Sequence, residues 1–220
     1  MRIAIIGYGK MGHMIETIAL ERGHEVVARI DAGDAFDLKD AEVAIEFTTP
    51  ATAKDNILRA WAQNVPVVCG STGWNVEELR DESLEFREVE SGKLIVDKQG
   101  KTKLVWKSNF SVGVNIFFEL NKMLASAMKD QPQYTPSITE THHIHKLDKP
   151  SGTAKTLYND IMSAAKPLND VMVESIREGE VPGTHVVTWD SEEDTIVITH
   201  IAKGRRGFAL GAVLAAEKLV

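Results

Sequence analysis

One feature constrains this chain above all others: a compact apolar run ends in a glycine-rich turn within the first dozen residues. Ile3-Ala4-Ile5-Ile6 reads as a buried strand, and Gly7-Tyr8-Gly9-Lys10-Met11-Gly12 follows it directly. Apolar residues then recur at helical spacing from Met11 to Glu21, and Gly23 suits the helix C-terminus. A strand, a G-x-G-x-x-G turn and a helix in this order form a dinucleotide-binding unit. Gly7 permits the tight turn, Gly9 lets backbone approach a pyrophosphate, and Gly12 lets the helix pack close to its strand. The N–H groups and positive dipole at the helix start complement phosphate charge. The competing reading is a glycine turn in a nucleotide-free α/β protein.

The same rhythm continues. Glu25 to Ile30 and Val43 to Phe47 read as strands, Ala51 to Gln63 as a helix and Pro66 to Cys69 as a fourth strand. Alternation of this kind predicts a parallel sheet with helices on its faces. Asp31 ends the second strand, where an acidic residue bonds the adenosine ribose 2′-hydroxyl and repels a 2′-phosphate. Ala32 rather than Arg follows it, and strand alternation is expected to turn Arg29 away, so NADH is favoured over NADPH. The alternative for Asp31 is a purely turn-forming role in Asp31-Ala32-Gly33-Asp34. Phe47-Thr48-Thr49-Pro50 and Gly70-Ser71-Thr72-Gly73 each follow a strand. Such loops face the ligand in an open parallel sheet, or serve only as strand-to-helix turns.

Residues 81 to 103 are charged and less patterned, with turns expected at Ser91-Gly92 and Gln99-Gly100-Lys101 and short strands at Leu94–Val96 and Leu104–Trp106. Beyond Asn109 the texture changes. Val112 to Met128 reads as a long helix, a second helix follows Pro150, and longer strands are expected at Ser137–His142, Val171–Ile176, His185–Trp189 and Thr195–Ile201. Turns are expected at Pro182-Gly183 and Ser191 to Asp194. A domain boundary therefore falls near residue 110, giving a dinucleotide-binding domain over 1–110 and a second domain over 111–206. A last helix, Phe208 to Leu219 within 207–220, is free to pack on either one.

Composition removes several classes of function. The 25 Lys and Arg are outnumbered by 32 Asp and Glu, for a net charge of -7, which gives no global electrostatic grip on nucleic acid. No apolar run approaches the roughly 20 residues needed to span a bilayer. The one cysteine, Cys69, has no partner for an internal disulfide, and the apolar N-terminal stretch is too short for a signal-peptide core. A cytoplasmic protein with neither a membrane nor a nucleic-acid partner is expected.

The densest chemical segment is Glu140-Thr141-His142-His143-Ile144-His145-Lys146-Leu147-Asp148-Lys149-Pro150-Ser151-Gly152-Thr153-Ala154. Three readings compete. His142, His143 and His145 are a candidate metal set, but adjacent strand residues face opposite ways and no carboxylate spacing completes a metal pattern. The histidines are otherwise inert surface groups. The favoured reading makes His and Lys proton donors and anion-binding groups. Ser151-Gly152-Thr153 then caps a helix and offers N–H groups and a hydroxyl to a substrate carboxylate.

At this segment the chain resembles the dihydrodipicolinate reductase family, whose pattern runs E-x-H-H-x-x-K-x-D-x-P-S-G-T-A. Ser108 to Asn115, Gly70-Ser71-Thr72-Gly73-Trp74 and Gly7 to Gly12 are similar to further family blocks, in family order. Ile198-Thr199-His200 and Phe208 to Ala212 resemble its C-terminal part. The resemblance implies an α/β fold: an N-terminal Rossmann-like parallel-sheet domain, then a C-terminal α+β substrate and oligomerisation domain with a mixed open sheet. It implies NADH- or NADPH-dependent reduction of the cyclic dicarboxylate hydroxy-tetrahydrodipicolinate to tetrahydrodipicolinate, a step of diaminopimelate and lysine synthesis, by a cytoplasmic homotetramer. Matched by motif position, His142 is the proton donor/acceptor, Lys146 a proton donor, His143 a substrate-binding histidine, and Gly152 and Thr153 the pair that holds a carboxylate. Gly7, Tyr8, Gly9, Lys10, Met11, Gly12, Asp31, Gly70, Ser71, Thr72, Lys107, Ser108, Asn109 and Phe110 match the cofactor site. No metal is implied.

There are departures from the family pattern. Lys149 stands where a small residue is usual, the stretch between Asp31 and Val43 is short, and the chain stops at Val220, before the expected tail. Arg205 and Arg206 are either anion-binding or simply solvated. Three other readings remain open from sequence: another two-domain NAD dehydrogenase acting on an amino acid or sugar, a non-enzymatic NAD-sensing protein, and a metalloenzyme using the histidine cluster.

Overall fold

The computed structural model describes residues 1–89, 92–99, 103–165 and 170–220. The turns expected at Ser91-Gly92 and Gln99-Gly100-Lys101 lie at least partly outside them. The chain forms two compact units, one of Met1–Ser111 with Arg206–Val220 and one of Val112–Arg205.

In the first unit, β1 (Arg2–Ile6), β2 (Glu25–Ile30), β3 (Val43–Glu46), β4 (Val67–Cys69), β5 (Leu84–Val89), β6 (Gly92–Asp97) and β7 (Lys103–Lys107) build one sheet of order β2-β1-β3-β4-β7-β6-β5. The pairings from β2 through to β7 are parallel, while β5 and β6 join antiparallel. The helices are α1 (Lys10–Glu21), α2 (Pro50–Trp61) and α5 (Arg206–Leu219), with a 3-10 turn at Val76–Leu79.

The sequence dictates this layering directly. Side chains alternate along β1, so Ala4 and Ile6 pack with Ala53, Ile57 and Ala60 of α2, while Ile3 and Ile5 pack with Ile15 and Ile18 of α1 and with Ala212 and Val213 of α5. A strand buried on both faces must be apolar throughout, which is why Ile3 to Ile6 carries no polar residue. The last helix thus returns to the first unit. Gly211 makes that packing close, since a Cβ there would lie 1.6 Å from the Phe110 carbonyl oxygen.

β5 went unread in the sequence because its alternating charges, Glu85 and Arg87, mask the inward Leu84 and Phe86.

The second unit holds α3 (Val112–Met128), β8 (Thr135–His142), α4 (Gly152–Ala164), β9 (Met172–Arg177), β10 (Thr184–Asp190) and β11 (Thr195–Ile201). Its four-stranded sheet runs β11-β10-β8-β9; β8 and β9 are parallel and the other pairings antiparallel. The two helices cover one face, over a core of Phe117, Phe118, Ile138, Leu157, Ile161, Val187 and Trp189. Register sets that face in rows. One row is Val173, Ile138, Val187 and Ile198, and the next is Ser175, Glu140, His185 and His200. No helix among the described residues is long and apolar enough to cross a membrane.

An ion cluster fastens α5 to α1. Glu217 accepts from Arg22 Nε at 2.6 Å and stands 2.7 Å from His24 Nε2, and Arg206 pairs with Glu21. Arg22 and His24 hold the Glu217 carboxyl down at about 2, against a smaller opposing effect of burial. A depressed carboxyl stabilises the fold above its unfolded value near 4.5 and loses that contribution as the pH falls towards about 2. The cluster is partly exposed, so its contribution is about 1 kcal/mol rather than the full shift. Glu217→Gln is expected to lower the melting temperature by a few degrees at pH 7, with the difference from the native protein vanishing near pH 2 in a calorimetric series.

Candidate active site

Five strand ends converge on one edge of the large sheet, the carboxyl ends of β2, β1, β3, β4 and β7. The chain leaves β1 for β2 on one side and enters β3 on the other, so this edge contains the topological switch point. Asp31, the Gly7–Gly12 turn, Phe47-Thr48, Gly70 to Thr72 and Lys107 to Phe110 therefore sit side by side along it. Hydrogen bonds tie them together: Gly7 N donates to Ile30 O at 2.8 Å, Gly70 N to Glu46 O at 2.9 Å and Thr48 N to Ser71 Oγ at 2.8 Å.

The glycines differ in what they allow. Gly7 has φ +91, and a Cβ there would lie 2.1 Å from Phe47 O; a Cβ on Gly12 would lie 2.4 Å from Gly7 O. A Cβ on Gly9 would meet nothing within 4 Å, so this position faces open space. Gly9 is also the N-cap of α1 and no side chain caps the first turn, which leaves its N–H groups facing that space. The Phe47 ring bars any side chain at Gly70 and stands 6.0 Å from the Phe110 ring.

Beneath the loops Glu46 is fully buried and accepts from Thr48 N at 3.1 Å and from Cys69 Sγ at 3.0 Å. Burial, then Glu46, pushes the Cys69 thiol well up, so it is a packing group rather than a nucleophile. The Ser71 carbonyl accepts from the indoles of Trp74 and Trp106 at 2.9 and 3.0 Å. Asp31 is exposed; its Oδ1 accepts from Ala32 N at 2.9 Å and its own N–H donates to Asp34, so it forms the turn as well as ending the strand. Arg29 pairs with Glu16, which also accepts from the Tyr8 hydroxyl. Lys10 is exposed and Met11 half-buried in the first turn of α1.

The second unit gathers its polar groups where β8 ends. Strand alternation puts Glu140 and His142 on the helix-covered face; Glu140 is fully buried and His142 nearly so. Glu140 Oε1 accepts from Ser175 Oγ at 2.7 Å, Ser151 N at 3.0 Å and Arg177 Nη2 at 3.2 Å. Ser151 is the N-cap of α4 and takes Ala154 N on its hydroxyl at 3.2 Å, as the motif Ser151-Gly152-Thr153 predicts. Gly152 is exposed with nothing near its Cβ position, and Thr153 is half-buried.

Lys146 lies in the following loop, its Nζ 2.7 Å from Asp148 Oδ1. Burial acts to raise the Asp148 carboxyl, but Lys146 outweighs it and holds the group below the usual range. Burial pushes His142 down, Glu140 pulls it up, and Lys146 and Arg177 add to the downward push; the net direction is down. Burial, aided by His142, takes His185 to about 4, so its ring is neutral at physiological pH.

His142, His143 and His145 do not converge on one point. His142 is buried, whereas His145 is exposed and stands 2.9 Å from Glu180. Glu140, His142 and His185 bring one ligand atom each within 4.8 Å of one another, a metal-like spacing among the described residues. Arg177, 3.2 Å from the same carboxylate, already supplies its counter-charge, and no metal is assigned. Lys149 is exposed, as is Arg205, while Arg206 is engaged by Glu21 in the first unit.

Comparison with known proteins fixes the lineage. The family model described as dihydrodipicolinate reductase, N-terminus, matches residues 1–110, and the one described as dihydrodipicolinate reductase, C-terminus, matches residues 113–220. The chain belongs to the dihydrodipicolinate reductase family. A 4-hydroxy-tetrahydrodipicolinate reductase from Christiangramia forsetii is 43% identical, with 100% of this chain and 92% of the relative covered. One from Thermosipho africanus is 33% identical, covering 99% and 90%. Among solved structures, a dipicolinate-bound dihydrodipicolinate reductase from Paenisporosarcina sp. TG-14 matches with TM-score 0.72 at 20% identity, covering 99% of this chain and 94% of that one. This family consists of NAD(P)H-dependent oxidoreductases, and the chain is one of them.

Glu140, Arg177, His185 and Gly183 join His142 in the structure without being marked as site residues by the sequence. Glu140 carried a signal, since it lies two residues before His142 and alternation puts both on one face. Arg177 and His185 carried none, because only strand register brings them there. Gly183 has φ +146, and a Cβ there would lie 3.1 Å from His142 Nε2. Gly183→Ala is expected to crowd this nitrogen and to strain a backbone position that favours glycine, lowering the melting temperature by a few degrees in a calorimetric scan.

Proposed function

We propose that this chain reduces 4-hydroxy-tetrahydrodipicolinate, a cyclic dicarboxylate, to tetrahydrodipicolinate with a nicotinamide cofactor, a step of diaminopimelate and lysine synthesis. The observation that carries this reading is the tie between the N-terminus of α4 and the end of β8. One carboxylate, Glu140, binds Ser151 N and neighbours His142, so an anion-binding helix start and an imidazole share one rigid support.

The residues present fit a dinucleotide. Gly7 and Gly12 have no room for a side chain, while Gly9 stands open where a phosphate approaches. Gly7, Tyr8, Gly9, Lys10, Met11 and Gly12 would hold the pyrophosphate, Asp31 the adenosine ribose, and Gly70 to Thr72 with Lys107 to Phe110 the nicotinamide half. When bound, the nicotinamide supplies the hydride. The protein's own part is alignment and proton handling. Gly152 and Thr153 at the start of α4 hold one substrate carboxylate through backbone N–H and hydroxyl groups, and His143 contacts the ring's other polar edge. The 4-hydroxyl leaves as water, the ring takes up hydride, and His142 and Lys146 deliver the accompanying proton, a positioned-acid contribution of about 10²–10⁴-fold.

Three features support NADH as the preferred cofactor: Asp31 at the end of β2, Ala32 after it, and the engagement of Arg29 by Glu16. A homotetramer built through the second unit's sheets fits the outer face of that sheet, where Met172, Val197 and Ile201 are exposed. A cytoplasmic location fits an NAD(P)H-dependent biosynthetic step and a chain with one cysteine.

A coupled assay that generates the unstable substrate in place tests the activity. His142→Ala and Lys146→Ala are each expected to lower kcat by about 10²–10⁴-fold with NADH affinity held within threefold. Full activity in both variants would overturn the assignment. In the same assay Asp31→Ala should weaken NADH more than NADPH, and an unchanged KM ratio would remove the ribose contact.

A further inference from the structure

The buried carboxylate of Glu140 is used unequally. Its Oε1 takes three donors, from Ser151, Ser175 and Arg177. Its Oε2 shares only the Ser151 N–H, at 3.1 Å, among the hydrogen bonds of the described residues. That oxygen instead faces two imidazole nitrogens, His142 Nδ1 at 3.4 Å and His185 Nε2 at 3.7 Å. His142 Nδ1 is buried and has no hydrogen-bond partner among the described residues, while His142 Nε2 lies on the side of Gly183. The His142 ring is therefore oriented, with one nitrogen towards a buried anion and the other towards a residue without a side chain.

We propose that Glu140 is a positioning residue for His142, holding the Nδ1 edge on Oε2 so that Nε2 is the nitrogen that exchanges protons with substrate. This rests on the reading of His142 as the proton donor. Every charged neighbour of the ring enters the balance. Glu140 on β8 and Asp148 in the following loop favour the imidazolium; Arg177 on β9, Lys146 in the loop and burial oppose it. His185 on β10 contacts the ring edge-on at 5.0 Å but stays neutral, and its own cross-strand neighbour is His200 on β11. Among the buried groups beside His142, Glu140 is thus the anion, and without it three influences drive the proton off. His185 Nε2, besides facing Glu140 Oε2, lies 3.2 Å from Ser151 Oγ, the cap of α4.

The test uses the full-length chain with labelled histidine. The His142 resonances, assigned by loss in His142→Gln, are followed against pH without substrate and compared with the pH profile of kcat. Glu140→Gln keeps the shape and removes the charge. It is expected to lower the His142 midpoint by about one pH unit and to deplete the Nδ1-protonated neutral form. The alkaline limb of kcat should move to lower pH by the same amount, about a tenfold loss above it, with KM for NADH unchanged. Glu140→Asp, which keeps the charge but withdraws it, should shift both in the same direction by less. A folded Glu140→Gln protein with an unmoved midpoint overturns the proposal. If that variant does not fold, an unmoved midpoint in Glu140→Asp does so. A shifted midpoint with an unmoved kcat profile upholds the coupling of Glu140 to His142 and instead removes the proton role of His142, so the two readings fail separately.

Discussion

A carboxylate shut away from water must be answered by donors, and in the second unit the answer to Glu140 organises everything around it. An unpaired buried charge costs about 3–5 kcal/mol, so Ser175 on β9, Arg177 on β9 and the Ser151 N–H at the start of α4 are all drawn to one point. That point fixes where α4 begins relative to the end of β8. Arg177 also donates to the carbonyls of Lys146 and Asp148, so the loop between strand and helix is held from the same centre. The proposed acid, the proposed carboxylate-binding turn and the lysine loop are consequences of one satisfied anion.

The first unit solves a different problem with similar economy. Its loops must leave backbone accessible along a sheet edge, and side chains would close that edge. Gly7 and Gly12 are required by contacts under 2.5 Å to neighbouring backbone, whereas Gly9 is unhindered. Phe47 keeps Gly70 bare, and two indole N–H groups hold the Ser71 carbonyl. Rigidity under the loops comes from Glu46, to which Thr48 and Cys69 both donate.

Much of this was legible from residues alone, for definite reasons. The β1 run, the glycine turn and the α3 pattern are local signals, and the structure places α3 at Val112–Met128 as its spacing predicts. The Ser151 cap was readable because capping acts across three residues. Arg177 and His185 were not readable, because their relation to Glu140 exists only through the pairing of strands distant in sequence. The destination of the last helix was equally hidden: its small residues suit any flat partner, and only Gly211 against Phe110 and the Glu217 cluster show the choice made.

That choice makes the first unit discontinuous. Residues 112–205 form a self-contained insert, whereas the unit that surrounds the glycine turn lacks one of its covering helices until residues 206–220 arrive. During synthesis the second unit has its whole chain available first, and the hydrophobic flank of β1 opposite α2 stays partly bare until α5 emerges. The first unit is thus completed after the second, though the strands that begin it are made earlier.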